Sequence, residues 1–534
     1  MNLLVYGPLL QLLATIVFVW FTWRLLKQDR RKPSLRSVAI LVLGDIGRSP
    51  RMMYHAESFA KLEFETFFIG YRGSKPVASL LSLPLVRFVY LSEPPSSLSK
   101  LPFILLAPIK ILHQIATILE ALFFRVPHPP EFILVQNPPS IPTLALVWLA
   151  GRLRGSKVII DWHNLGYSIL ALKLGNDHPF VKIAKRFEAW FGQTAYAHLF
   201  VTQAMRDHLV REWKLIGHKA VLHDRPPAHF RRASPPETHE LFQRLRPSLS
   251  TLTRFFPPSS PPYSTPFTHV TTTTPSPTVT PSPSNSDLSM PSLRPERPAL
   301  LISSTSWTPD EDFSILIEAL GMYDKRAKEI DRELLEGKGD GKPLPKVLMV
   351  VTGKGPLREK YMKEIQRLQI GRDDSGDDGW KWVRCVSLWL EAEDYPVLLG
   401  SADLGISLHS SSSALDLPMK IVDMFGCGLP VCALDFACLH ELVKDGTNGL
   451  VFKNAEQLAA QIEGLLASFP KSPSLSALHS SLLKSSKPPE GAATQHLRHH
   501  GGLIGEEGDH WEWNTWDENW GRVVKPLILR DAMR

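Results

Sequence analysis

Cysteine is scarce in this sequence: 534 residues contain four, Cys385, Cys427, Cys432 and Cys438. So few exclude a disulfide-stapled scaffold, and with no C-x-x-C pair a structural zinc site lacks its ligand spacing. Thiols scattered in this way suit a reducing compartment. Long blocks of one charge sign are also missing. Lys and Arg number 60 against 53 Asp and Glu, a net +7 spread thinly along the chain. That balance suits an anionic membrane face or phosphorylated substrates, and it argues against a nucleic-acid partner. There is no internal repeat at solenoid periods. At 44% hydrophobic and 21% charged residues the composition is globular, which excludes wholesale disorder.

What is present begins with an uncharged run from Asn2 to Trp23, including LLVYGPLLQLLATIVFVWFTW. As a helix it would extend on the order of 30 Å, enough to cross a bilayer core. Its basic residues follow it (Arg24, Lys27, Arg30, Arg31, Lys32, Arg36), the reverse of a signal peptide. The pattern predicts an N-terminal transmembrane anchor over 2–26, with the bulk of the chain in the cytosol. A second apolar stretch, Leu101 to Val126, is interrupted by Pro108, Lys110, His113 and Glu120. It reads equally as a helix in the membrane interface or as a buried helix of a globular domain. Between Ser234 and Pro298 the composition turns to Ser, Thr and Pro, with 15 of the 45 prolines, and reads as a linker or inserted loop. The organisation expected is an anchor, a first domain over 34–233, the 234–298 insert, a second domain over 299–470, a low-complexity stretch over 471–510 and a Trp-rich tail over 511–534. The tail (Trp511, Trp513, Trp516, Trp520) is expected to pack as a final helix on the first domain.

Short apolar strand patterns recur in both halves: VAILVLG (38–44), FILVQN (132–137), KVIIDWH (157–163) and HLFVT (198–202), then ALLIS (299–303), KVLMVVTG (346–353), DLGISL (403–408) and LPVCAL (429–434). Helical patterns separate them, which predicts an α/β fold with two parallel sheets. Ligands bind such sheets beyond the carboxyl ends of the strands, so the loops there are the candidate sites. The first loop is Gly44-Asp45-Ile46-Gly47-Arg48-Ser49-Pro50, whose glycines, helix start and Arg48 suit a phosphate. It is not G-x-G-x-x-G, and an ordinary turn explains it equally well. The second, Asp161-Trp162-His163-Asn164, places an acid and a histidine on one side of a strand end, suited to general-base work or, equally, to local capping. In the second half Gly353-Lys354-Gly355 precedes a helix and suits a diphosphate, without the spacing of an ATPase P-loop. Asp416, Lys420 and Asp423 then precede the turn Gly426-Cys427-Gly428, where carboxylates can accept ribose hydroxyls and Lys420 can meet phosphate. The triplet Asp310-Glu311-Asp312 reads as a helix start, where acids are favoured, rather than as a metal site.

The runs LGDIGRSPRMMYHAESFA, VIIDWHNLGYSIL, STSWTPDEDFSILIEAL, VTGKGPL and LDLPMKIVDMFGCGLPV, with HDRPP at His223–Pro227, resemble the chitobiosyldiphosphodolichol β-mannosyltransferase family. The blocks come in the family's order across about residues 38–452. The resemblance implies the GT-B fold, two Rossmann-like domains facing a cleft. It implies inverting transfer of mannose from GDP-mannose to dolichol-diphosphate-linked chitobiose in a β1,4 linkage. The expected place is the cytosolic face of the endoplasmic reticulum membrane, with a single-pass anchor. It implies no tightly bound cofactor, leaves stimulation by a divalent metal open, and points to other dolichol-pathway mannosyltransferases as further partners.

Related GT-B transferases carry two glutamates eight positions apart before a C-G-x-P turn. The second matches Asp423, while Leu415 with Asp416 beside it stands at the first, and Lys420 keeps its place between them. Where those relatives use an Arg and a Lys after the first donor-domain strand, Ser304, Ser306 and Trp307 stand here. The expected donor-binding residues are therefore Ser304, Trp307, Gly353, Lys354, Gly355, Asp416, Lys420 and Asp423. The acceptor or phosphate loop is Gly44, Gly47 and Arg48, and the candidate bases are Asp45, Asp161 and His163, with Asp45 first. The alternatives are a lipid-linked transferase with another donor, or a non-catalytic membrane scaffold of the same fold.

Overall fold

The computed structural model describes residues 34–93, 103–270, 290–308, 311–337, 342–371, 379–410, 415–485 and 515–530. The expected anchor over 2–26, Asp310, Ser411–Ser413 and Trp511 and Trp513 of the tail lie outside these. The chain divides into two compact units. The first runs to Leu222 without Thr202–Ala204 and takes in the chain again from Val523; the second holds the remainder.

The first unit is a seven-stranded, all-parallel sheet. Its strands are β1 (Ser34–Asp45), β2 (Glu65–Tyr71), β3 (Val86–Tyr90), β4 (Pro130–Asn137), β5 (Lys157–Trp162), β6 (Thr194–Phe200) and β7 (Ile216–Val221), in the order β3-β2-β1-β4-β5-β6-β7. Val38, Ala39, Ile40 and Leu41 of β1 are all fully buried, as a strand covered on both faces requires. Each large apolar side chain so buried stabilises the fold by roughly 1.5–3 kcal/mol. Helices α1 (Pro50–Lys61), α2 (Phe103–Glu120), α3 (Thr143–Arg154), α4 (Gly166–Leu174), α5 (Pro179–Gly192) and α6 (Gln203–Trp213) provide most of the connections. Helix α2 is divided along its length: Thr117 and Ile118, with Ala121, Leu122 and Phe123 after it, are buried, while Ile109, Ile111 and Leu112 are exposed. Among the described residues no helix is long and apolar enough to cross a membrane.

The second unit is a six-stranded parallel sheet of β8 (Ala299–Ser304), β9 (Val347–Thr352), β10 (Val383–Leu388), β11 (Leu404–Ser407), β12 (Val431–Leu434) and β13 (Gly449–Phe452), in the order β10-β9-β8-β11-β12-β13. The 234–298 stretch is not a linker through its length, which corrects the reading from composition. Helix α7 (Pro235–Arg244) opens it with a capping box between Ser234 and Glu237, and Leu241, Phe242, Phe255, Phe256 and Phe267 are buried in this unit's core. Only residues 271–289 of the stretch are outside the described chain. Its prolines concealed a periodic apolar content that is enough to bury a face. The covering helices are α8 (Phe313–Leu335), α9 (Arg358–Ile370), α10 (Asp394–Ser401), α11 (Met419–Gly426), α12 (Ala455–Leu466) and α13 (Pro473–Ser485). The last takes up the start of the expected low-complexity stretch and buries Leu475, Leu478 and Leu482. At the end of the chain, α14 (Trp516–Val523) buries Trp516 and Trp520. Helix α15 (Lys525–Leu529) belongs to the first unit, where Tyr196 donates its hydroxyl to Leu527 O at 2.8 Å, whereas the Trp-bearing turn before it, through Arg522, belongs to the second.

Candidate functional site

In each unit the strand order reverses once, between β1 and β4 in the first and between β8 and β11 in the second. The crevice at such a reversal, beyond the carboxyl ends of the strands, is where an open α/β sheet binds ligands. The expected site residues fall around these two places.

In the first unit α1 starts just after β1, with Pro50 preset for the first helical position. Arg51 and His55 are four residues apart, so they share a helix face, and that face meets Asp161 on β5. The buried Asp161 carboxylate takes Arg51 in a two-pronged ion pair, Nε to Oδ2 at 2.8 Å and Nη2 to Oδ1 at 2.9 Å. Arg51 Nη1 donates to Leu222 O at 2.9 Å. Two imidazoles complete the cluster, with His55 Nε2 at 3.2 Å and His163 Nε2 at 2.8 Å from Asp161 Oδ2. Burial alone would push the Asp161 carboxyl up, but the Arg51 guanidinium, then His163 and His55, hold it well below the usual carboxylate range. An ionised carboxylate only accepts, so both Nε2 atoms carry the proton and donate. Burial lowers the His55 pKa and keeps that ring neutral. His163 is partly exposed, with its side chain 22% accessible, and its Nδ1 has no hydrogen-bond partner among the described residues. The expected pairing of Asp161 and His163 on one side of the strand end is thus met.

Asp45 has a different place. Its Oδ1 accepts from Gly47 N at 2.9 Å and its Oδ2 from Ser74 N at 2.8 Å. Burial raises its pKa, yet these N–H groups and Arg48 outweigh that and leave it below the ordinary value. A carboxylate so occupied joins two loops and is a weak proton acceptor, which corrects its rank as first candidate base. Gly47 is required sterically: a Cβ there would lie 2.3 Å from Ser74 O. Arg48 is exposed, with Nε 3.2 Å from Ser74 Oγ. Gly44 lies within β1.

In the second unit Ser304 ends β8. Its Oγ lies 3.1 Å from Tyr395 Oη and accepts from Thr352 Oγ1 at 3.1 Å, a trio of hydroxyls at the strand ends. Burial pushes the Tyr395 phenol up, with Asp423 contributing. The carboxylate of Asp423, on α11, has no hydrogen-bond partner among the described residues. Its pKa is pushed up to about 8 by burial and then by the charge of Asp224. Beside it on the helix, Lys420 Nζ lies 2.5 Å from Glu311 Oε1. The buried Glu311 also accepts from the Thr305 hydroxyl and from Ser306 N at 3.0 Å. An ammonium has three donors, and the partly exposed Lys420 uses one of them on Glu311. Asp416 places its carbonyl 3.5 Å from the Cys438 thiol.

The Gly-Lys-Gly turn is built by close backbone approach. A Cβ on Gly353 (φ 121°) or on Gly355 would fall 1.8 Å from Thr305 O or Ser306 O. The exposed Lys354 holds its ammonium 3.8 Å from the centre of the Trp389 ring. Trp307 is a correction to the expected donor contact. It is 1% exposed, stacks at 4.4 Å on Phe313, and donates Nε1–H to Gly353 O at 3.3 Å, so its indole is core. Asp312 caps α8 through Ser314 N at 3.0 Å, as the helix-start reading of the acidic triplet expects. Among the described residues no group of three or more His, Cys, Asp or Glu is placed to hold a metal ion.

Sequence reasoning missed Arg51, His55, Glu311, Thr352 and Tyr395. The i, i+4 spacing of Arg51 and His55 directly after the Gly-rich turn was a usable signal for the first pair. Nothing local marks Glu311, whose partner Lys420 is 109 positions away.

Two parallel Rossmann-like units with loop sites of this kind define the GT-B class of glycosyltransferases. A model of the glycosyl transferase 4-like domain matches residues 47–222, and one of glycosyl transferases group 1 matches residues 329–468. Chitobiosyldiphosphodolichol beta-mannosyltransferase of Mus musculus is 39% identical, covering 98% of this chain and 94% of the relative. The chain belongs to the chitobiosyldiphosphodolichol beta-mannosyltransferase family. UDP-glycosyltransferase TURAN of Arabidopsis thaliana is 42% identical over 81% of this chain and 89% of its own length. A solved sucrose-phosphate synthase from Thermosynechococcus elongatus shares the fold, with a TM-score of 0.51, 12% identity, and 94% and 98% of the two chains covered.

Proposed function

We propose that this chain transfers mannose from GDP-mannose to chitobiosyl-diphosphodolichol, forming a β1,4 bond at the cytosolic face of the endoplasmic reticulum membrane. The observation that carries this reading is the family membership, with identity running along nearly the whole chain. The geometry supplies a mechanism. In an inverting step the acceptor hydroxyl attacks the anomeric carbon, the bond from that carbon to the diphosphate breaks, and the hydroxyl proton passes to a base. The base is His163: Asp161 receives its Nε2–H, which leaves the Nδ1 lone pair for the proton. Arg51 keeps Asp161 ionised, and Asp161 acts as a positioning residue because it is buried beneath the imidazole. In the second unit Lys420 and Lys354 meet the diphosphate as negative charge develops on it, and Asp423 with the Ser304 hydroxyl accepts from the ribose.

A second reading is favoured by one observation, the name of the Arabidopsis relative, a UDP-glycosyltransferase. A donor panel separates the two. Purified full-length protein in detergent is given a synthetic lipid-diphosphate-chitobiose acceptor with GDP-mannose, UDP-glucose or UDP-GlcNAc, with and without chelator. One added mannose from GDP-mannose alone supports the first reading, and transfer from a UDP-sugar supports the second.

A further inference from the structure

Helix α4 (Gly166–Leu174, GYSILALKL) is apolar along most of its length, yet none of its residues is buried. It pairs with α5 (Pro179–Gly192), and between them the two helices and their turn expose Ile169, Leu172, Leu174, Phe180, Ile183 and Trp190, each between 38% and 78% accessible. The second unit gives a contrast. Exposed apolar side chains of the second unit's long helices are single and terminal, such as Leu335 at the end of α8 and Ile370 at the end of α9. Isolated exposures of that kind are ordinary, whereas a cluster of six on one hairpin marks an unmet partner. The hairpin's exposed polar residues are mainly basic: Lys173, Lys182 and Arg186 stand against Asp177, which lies 3.6 Å from Lys182.

We propose that the α4–α5 hairpin is a membrane-docking element, seated in the interface of an anionic bilayer. Its apolar side chains enter the headgroup and acyl boundary while Lys173, Lys182 and Arg186 meet lipid phosphates. Large apolar groups with Trp and a basic fringe are the composition that binds such an interface; a protein partner would be expected to require shape complementarity instead of a basic fringe. The hairpin is also continuous with the base. Helix α4 begins three residues after His163, and Gly166 N and Tyr167 N at its start donate to the buried Glu188 of α5 at 3.0 and 3.2 Å. Seating the hairpin therefore holds His163 at the depth of lipid headgroups, where a diphosphate-linked acceptor presents its sugar. That consequence rests on the function proposed above; the docking itself does not.

The test uses the full chain with single cysteines at Leu172→Cys, Trp190→Cys or, as control, Leu335→Cys, each carrying an environment-sensitive fluorophore. The native thiols are all buried. The protein is reconstituted in vesicles of phosphatidylcholine with phosphatidylserine that also contain spin-labelled lipid as quencher. Labels at 172 and 190 should be quenched and that at 335 should not. Reversal of Lys173, Lys182 and Arg186 to Glu should lower the docked-to-undocked ratio by about fivefold for each charge removed. In an active preparation the same reversal should raise KM for the lipid acceptor and leave KM for the sugar nucleotide unchanged. Equal quenching at 335, or none at 172 and 190 in folded protein, would overturn the proposal. So would cross-linking of two Leu172→Cys chains through the introduced thiol in place of quenching. Quenching needs no catalysis, so a failed transfer assay with intact quenching would count against the function alone.

Discussion

Asp161 gives the sharpest energetic prediction, because four charge-assisted hydrogen bonds converge on a carboxylate that has no solvent contact. Asp161→Asn keeps the shape and removes the charge. Arg51 is only 5% accessible at its side chain, so its guanidinium would stay buried against a neutral amide. Breaking one side of a buried pair costs about 3–5 kcal/mol. For a unit of this size 1 kcal/mol moves the midpoint by roughly 2–4 °C, so the first unit should melt on the order of 10 °C lower. The partner change Arg51→Met should cost about as much alone, and the double variant should cost clearly less than the sum, with a coupling of about 2 kcal/mol or more. The sign with pH follows from the depressed pKa. Asp161 stabilises fully above the unfolded value near 3.8 and loses that contribution as pH falls below it, and Asp161→Asn should lack this acid-limb loss. Differential scanning calorimetry of the full chain, with the two units followed as separate transitions, makes the measurement. A shift below about 1 kcal/mol, or strict additivity in the cycle, would refute the reasoning.

Two predictions concern the second unit. Asp423 keeps its proton up to about 8 when folded and would lose it near 3.8 unfolded, so its contribution to stability is present below about pH 4 and fades as pH rises towards 8. Asp423→Asn should remove that slope. If ribose hydroxyls donate to the ionised form, nucleotide affinity should rise by up to about tenfold per pH unit until about pH 8, and calorimetric titrations that stay flat would remove Asp423 from the ribose. Lys420→Met should weaken GDP binding by about 10–100-fold, the worth of one charge-assisted contact, whereas Glu311→Gln should retain it. Equal affinity in the Lys420 variant would take this residue away from the diphosphate.

What could be read from the sequence follows from how strongly each element is buried. All eight apolar strand patterns are strands, and all eight occupy interior positions of the two sheets or the place next to an edge. The edge strands β3, β7, β10 and β13 went unread. VRFVY, IGHKAV and VRCVSL alternate with polar residues because one side of an edge is less covered, and GLVF is only four residues long. Interior β2 was also unread: ETFFIGY carries its apolar run between polar ends and a glycine. Composition misled at 234–270, where prolines are compatible with a capped helix and a phenylalanine-rich core. At the proposed sites the sequence pointed to loops at strand ends without showing what their side chains would touch. Asp45 and Trp307 have side chains turned to structural work, and only folding shows that Asp161 gathers Arg51, His55 and His163. Glu311 was legible as part of a helix start, and its second role, facing Lys420, depends on contact far along the chain.

The central claim is that this chain forms a β-mannosyl bond with His163 as the base. The measurement that tests it most directly sets wild type beside His163→Gln. Each is given GDP-mannose and the lipid-diphosphate-chitobiose acceptor, and the product is read by mass and by sensitivity to β-mannosidase. The account predicts a β-mannosidase-sensitive product from the wild type, and a kcat about 10²–10⁴-fold lower in the variant with its melting temperature and GDP affinity retained. An α-linked product, or a His163 variant that transfers at the wild-type rate, would contradict it.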